Sequence, residues 1–119
     1  MNIKTHQVAD LIIAEVSSDE YIINNTDDGL DFLGTLYFQG FDKVTINETN
    51  VVPVFFDLKN GMAGEILQKF SNYRVQLVIV GDFSKYESKS LADFISESNK
   101  GRQVNFVSSI TEAIGRLSA

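Results

Sequence analysis

The sequence predicts one mixed α/β domain over residues 1–119. We expect a sheet of about five strands, an opening antiparallel hairpin followed by parallel strands, and about four helices in the order β-β-α-β-α-β-α-β-α. Three observations carry this reading. The continuous apolar run "VQLVIV" (75–80) is the mark of a strand covered on both faces, as in a parallel sheet. From residue 25 onward, segments of helical period alternate with short branched apolar runs, the pattern of repeated crossovers. Before them, "NIKTHQV" and "ADLIIAEV" adjoin as two strands turning at about Ala9–Asp10.

Each element has its own justification. "NNTDDGLDFLGTLYFQG" is a helix capped by Asn25 or Thr26, with Asp27 and Asp28 favouring its first turn and Gly40 ending it. Leu30, Leu33, Leu36 and Tyr37 form its apolar stripe. "KVTINETN" alternates Val44 and Ile46 with Thr45 and Asn47, which places it near a sheet edge. In "PVFFDLKNGMAGEILQKF", Pro53 suits a first helical turn, and Phe55, Leu58, Met62, Ile66 and Phe70 recur at helical spacing. Gly61 and Gly64 each weaken such a helix by up to about 1 kcal/mol. The helix is therefore either broken near "KNG" or closely packed at "GMAG". "SLADFISESN" is a further helix closed by Gly101, and "VNFV" a buried strand. "SSITEAIGRLSA" is a last helix in which Ser109 and Glu112 have capping-box spacing.

Composition excludes several function classes. The chain has no cysteine and one histidine, His6, so disulfides and thiolate metal sites are closed to it and a conventional zinc site nearly so. His6 is expected to be structural or superficial. The net charge is −6; residues 1–57 carry only Lys4 and Lys43 against ten acids, while 58–119 carry eight basic residues against six acids. Without a basic face the chain is a poor ligand for nucleic acid, whose phosphates supply most of such affinity. No long apolar stretch opens the sequence, so neither a signal peptide nor a membrane span is expected, and a cytoplasmic location is the default. Neither G-x-S-x-G, nor G-x-G-x-x-G, nor G-x-x-x-x-G-K-[ST] occurs, and no cofactor or catalytic set is predicted.

Ligands of open α/β sheets favour the carboxyl ends of parallel strands. Two polar segments fall there: "GDFSKYESKS" after "VQLVIV", and Glu48–Asn50 after "KVTI". If the helix breaks at "DLKNG", that turn lies nearby. The candidate binding residues are thus Asp57, Lys59, Asn60 and Gly61 from the turn, and Gly81, Asp82, Phe83, Ser84, Tyr86 and Lys89 from the loop. The competing reading is that Asp82 and Ser84 cap turns while Phe83 and Tyr86 seal the core. A magnesium site from Glu48, Asp57 and Asp82 requires convergence that spacing alone does not establish, so no metal is assigned. Lys85, Lys89, Lys100 and Arg102 are balanced by Asp82, Glu87, Asp93 and Glu97 and read as a solvated mixed surface. Phe38, Phe41 and Tyr37 read as packing residues, with an exposed aromatic cluster there as the route to a protein interface.

"VTINETNVVPVFFDLKNGMAGEIL" resembles the strand–loop–helix region of the STAS domain of bacterial anti-sigma factor antagonists and sulfate transporter tails. "VNFVSSITEAIGRL" resembles its closing strand and last helix. Nearly the whole chain is similar to a bacterial family, the domain of unknown function 4180, through "FFDLKNGMAGEILQKF", "GDFSKY", "SKSLADFI" and "ESNKGRQVNFV". The resemblance implies a STAS-like fold. Regulatory STAS proteins carry an Asp-Ser or Asp-Thr pair whose hydroxyl is phosphorylated; here Asp57 is followed by Leu58, Lys59 and Asn60, with no hydroxyl. The expected function is a non-enzymatic binding or regulatory module, engaging a protein partner or a second copy of itself. The alternative is a small-molecule sensor or enzyme using Asp57, Asp82, Ser84 and Lys89.

Overall fold

The computed structural model describes residues 1–119. Strands β1 (Asn2–Val8) and β2 (Leu11–Ser17) form the opening hairpin, in register from Asn2 opposite Ser17 to Val8 opposite Leu11. Its tight turn holds Ala9 at φ 54°, a first turn position where glycine is the easier residue. Helix α1 (Thr26–Phe38) follows, then β3 (Lys43–Asn47), α2 (Met62–Asn72), β4 (Gln76–Val80), α3 (Lys89–Ser98), β5 (Val104–Val107) and α4 (Ile110–Leu117). The sheet order is β1-β2-β3-β4-β5, antiparallel only between β1 and β2. The predicted architecture and element order are those observed.

Side-chain alternation divides the core between the two faces of the sheet. Ala14, Val16, Val44, Ile46, Leu77, Ile79, Val104 and Phe106 meet α1, α2 and Leu91 of α3 on one face. Ile13, Val78 and Val107 meet Ala113 and Leu117 of α4 on the other. No helix is long and apolar enough to cross a membrane.

Local signals act as expected at most boundaries. The Asn25 side chain accepts from the Asp28 amide at 2.8 Å and caps α1. Gly40, at φ 88°, ends it, with the Phe41 amide returning to the Leu36 carbonyl. The helix of 53–70 is indeed broken: 3-10 turns span Pro53–Phe56 and Leu58–Asn60, and α2 starts only after Gly61, which stands at φ 80°. Ser109 accepts from the Glu112 amide, but the Glu112 carboxylate takes the Ser108 hydroxyl, so only half the capping box forms.

Four expectations are corrected. β3 is the central strand, not an edge strand, because Thr45 is buried beside α4 despite its polarity. The buried stripe of α1 is Gly29, Phe32, Leu33 and Leu36, whereas Leu30 is half-buried and Tyr37 is exposed. Phe38 does not pack at all; it is 94% exposed, while Phe41 does rest on the core. Close helix packing occurs at Gly29, where an added Cβ would run into Ile66, and not at "GMAG", since Gly64 faces open space.

These two glycines give opposite expectations. Gly29→Ala should lower unfolding stability by about 1–2 kcal/mol, overpacking against Ile66 outweighing the better helix propensity. Gly64→Ala should raise it by up to about 1 kcal/mol. Denaturant unfolding of the two variants checks both signs.

Candidate functional site

The candidate site lies at the carboxyl ends of β3, β4 and β5. Beyond β3 the chain turns at Glu48, which is buried at 5% exposure. Beyond β4 it passes Gly81, where any Cβ would overlap the Glu48 side chain; only glycine lets the two strand ends lie so close. The Glu48 carboxylate is neutralised by Lys85, Nζ to Oε1 2.6 Å. A buried carboxylate needs such a partner, and this pair ties the loop after β4 to the turn after β3.

The same loop is braced twice more. Asp82 Oδ1 accepts from the Ser84 hydroxyl at 2.6 Å and its amide at 3.0 Å. These bonds hold the Asp82 carboxyl below its ordinary range, with Lys85 adding a smaller contribution. Phe83 sets its ring edge-on to Phe106 at 5.4 Å, and Tyr86 stacks on Phe56 at 4.9 Å. Burial against these rings, reinforced by the Glu48 charge, raises the Tyr86 hydroxyl above its usual value.

An open cleft of about 650 Å³ runs along these strand ends. Its walls are Asn47, Glu48 and Thr49, then Val80 to Phe83, then Phe106 to Ser108 with Glu112. Gly81, Asp82 and Phe83 are the candidate residues that line it. Asp57, Lys59, Asn60, Gly61, Ser84, Tyr86 and Lys89 do not. The pocket expected among Asp57, Lys59, Asp82, Ser84, Tyr86 and Lys89 therefore does not form, and the causes are local. Ser84 is engaged by Asp82, and Lys89 by Asp93 one helical turn on at 2.8 Å. Asn60 folds its own turn, donating to the Val54 carbonyl at 2.6 Å and accepting from the Met62 amide at 2.8 Å. Asp57 and Lys59 are exposed and unpaired, and Leu58 rests on the core. The "GDFSKY" segment is contacted by Phe56, the residue just before "DLKNG", whose ring meets Tyr86 and Phe83.

No three acidic or histidine side chains come together in a way that could hold a metal ion, so Glu48, Asp57 and Asp82 do not converge. His6 bonds Glu15 at 2.6 Å on the hairpin, at the opposite side of the sheet from the cleft. The mixed surface is as expected for Lys89 with Asp93 and Lys100 with Glu97. Among the wall residues that the candidate set lacks are Ser108 and Glu112. Their signal is present in the sequence, since "SSITE" also follows a buried parallel strand, but its Ser and Glu spacing is that of a helix cap.

A family profile described as "Domain of unknown function (DUF4180)" matches residues 8–117. No curated protein matches the sequence. Among solved structures, the crystal structure of a candidate anti-sigma factor antagonist from Thermotoga maritima is similar at a TM-score of 0.51. The two are 15% identical, over 98% of this chain and 95% of that one, which is a likeness of fold.

Two measurements test the strand-end geometry. Gly81→Ala should cost about 1–3 kcal/mol by overpacking, and part of that cost should vanish in a Glu48→Ala background, which removes the Cγ and Cδ clashes but keeps the Glu48 Cβ 2.8 Å away, a non-additivity readable in a double-mutant cycle. Lys85 is held above the ordinary lysine value of 10.5, chiefly by its bond to Glu48. A raised folded value confers stability that is complete below the unfolded value and is lost as pH rises through the folded one. Wild-type stability should therefore decline more steeply than that of Lys85→Met as pH is raised past 10.5.

Proposed function

The chain belongs to the DUF4180 family, and from that premise we propose that it is a non-enzymatic protein-binding or regulatory module of the bacterial cytoplasm. Its contact surface is the Asp57–Gly61 turn together with the Gly81–Tyr86 loop. The observation that carries this reading is the Phe56 ring, stacked on Tyr86 at 4.9 Å and tilted against Phe83 at 5.8 Å. It joins segments some twenty-five residues apart in sequence (Asp57 and Asp82) into one braced surface. Val54, half exposed, and the unpaired Asp57 and Lys59 face outward beside it.

Preorganised loops lose little conformational freedom on binding, which suits a contact surface. The fold likeness to a candidate anti-sigma factor antagonist agrees with a regulatory role. At the place where regulatory STAS proteins carry a phosphorylated hydroxyl, this chain has Leu58 resting on the core. Binding is accordingly not switched by phosphorylation at that position.

The cleft of about 650 Å³ favours a second reading, a sensor or enzyme for a small molecule. Of its expected residues only Asp82 lines that cleft. Affinity capture from native lysate, with Asp57→Ala and Asp82→Ala as controls, separates the two. Loss of one captured protein in either variant supports the binding module. Unchanged capture in both, with a metabolite thermal shift abolished by Asp82→Ala alone, overturns it in favour of the sensor.

A further inference from the structure

We propose that α1 carries a docking ridge for a second copy of this chain, separate from the loop surface above and independent of it. Leu30, Gly34 and Phe38 recur every four residues and so form one row along the helix. Phe38 stands 94% exposed at its end, and nothing lies within 4 Å of the Cβ position of Gly34 one turn earlier. The row is thus a knob beside a notch. Toward α2 it borders an apolar groove of about 420 Å³ walled by Tyr37 and Tyr73, whose rings meet edge-on at 5.2 Å.

Both tyrosines are about half exposed. A solvent-facing cluster of three aromatic rings marks an interaction surface rather than ordinary surface scatter.

Charge selects the occupant. The groove on the α2 side carries Lys69, while the hollow on the other side of the row carries Asp31. Both are exposed, and neither has an ion-pair partner within the chain. A face with a knob, a notch and borders of opposite sign is complementary to itself, as a twofold interface requires. Anionic lipid and nucleic acid are poor occupants, because Asp31 borders the row, Asp27, Asp28 and Asp42 flank it in sequence, and the chain has a net charge of −6.

Sedimentation equilibrium across a concentration series up to about 1 mM tests this. The wild type should dimerise. Phe38→Asp and Gly34→Leu should each weaken association roughly tenfold or more, Phe38→Asp leaving the unfolding transition close to wild type and Gly34→Leu leaving it at or above wild type. Asp31→Lys and Lys69→Asp should each weaken it, and the double charge swap should restore it. A wild type that stays monomeric throughout overturns the proposal. So does association unchanged by Phe38→Asp and Gly34→Leu. If the chain is monomeric and Phe38→Asp instead abolishes capture of another protein, the ridge belongs to that partner and self-docking fails.

Discussion

A parallel sheet has to be covered on both faces, because its central strands carry apolar side chains on each. Here β3, β4 and β5 impose that requirement on a chain with few helices to meet it. Three helices pack on the face of Val44, Ile46, Leu77 and Ile79. The other face is closed over Val78 and Val107 by α4 alone, an eight-residue helix contributing Ala113 and Leu117. Because the three strands are parallel, the carboxyl ends of β3, β4 and β5 finish side by side at one rim. The loops that leave those strands gather at that rim.

Crowding at the rim then decides its chemistry. Two strand ends lie so close that Gly81 must yield its side chain to Glu48. Glu48, driven below the surface by that approach, requires a cation, and Lys85 reaches back to supply one. The loop so fixed has its remaining polar capacity used internally, Ser84 by Asp82, and its rings used against Phe56 and Phe106. The loop is held at every one of these points. Its cleft keeps three carboxylates, Glu48, Asp82 and Glu112, on its walls.

The fold was legible because it is written in local signals: the turn at Ala9–Asp10, the Asn25 cap, the stop at Gly40, and the doubly apolar β4, although α3 ends at Ser98, capped by Asn99 ahead of Gly101. What was not legible depends on neighbours distant in sequence. Thr45 reads as an exposed residue until α4, some sixty residues later, is laid beside β3. The spacing of Leu30, Leu33, Leu36 and Tyr37 marks a stripe, but Ile66 pressing on Gly29 rotates the buried face toward Phe32. The site divided in the same manner. Strand-end reasoning reached Gly81, Asp82 and Phe83, yet the opposite wall, Ser108 and Glu112, arrives through the last crossover. Asp57 and Lys59 missed the cleft because Asn60 closes their turn upon itself.

In a parallel unit each helix runs back against its strands, so the ends of α1 and α2 sit toward the rim where the parallel strands begin. Phe38 and Tyr73, at those helix ends, consequently point away from the rim that carries Asp82 and Tyr86. The two surfaces do not compete for space. A second copy seated on the α1 ridge would leave both braced rims free, so that one assembly offers two identical contact surfaces. Two such surfaces convert a weak single contact into a stronger paired one without any new interaction, provided the partner can span them. That arrangement would suit a module whose single surface is small.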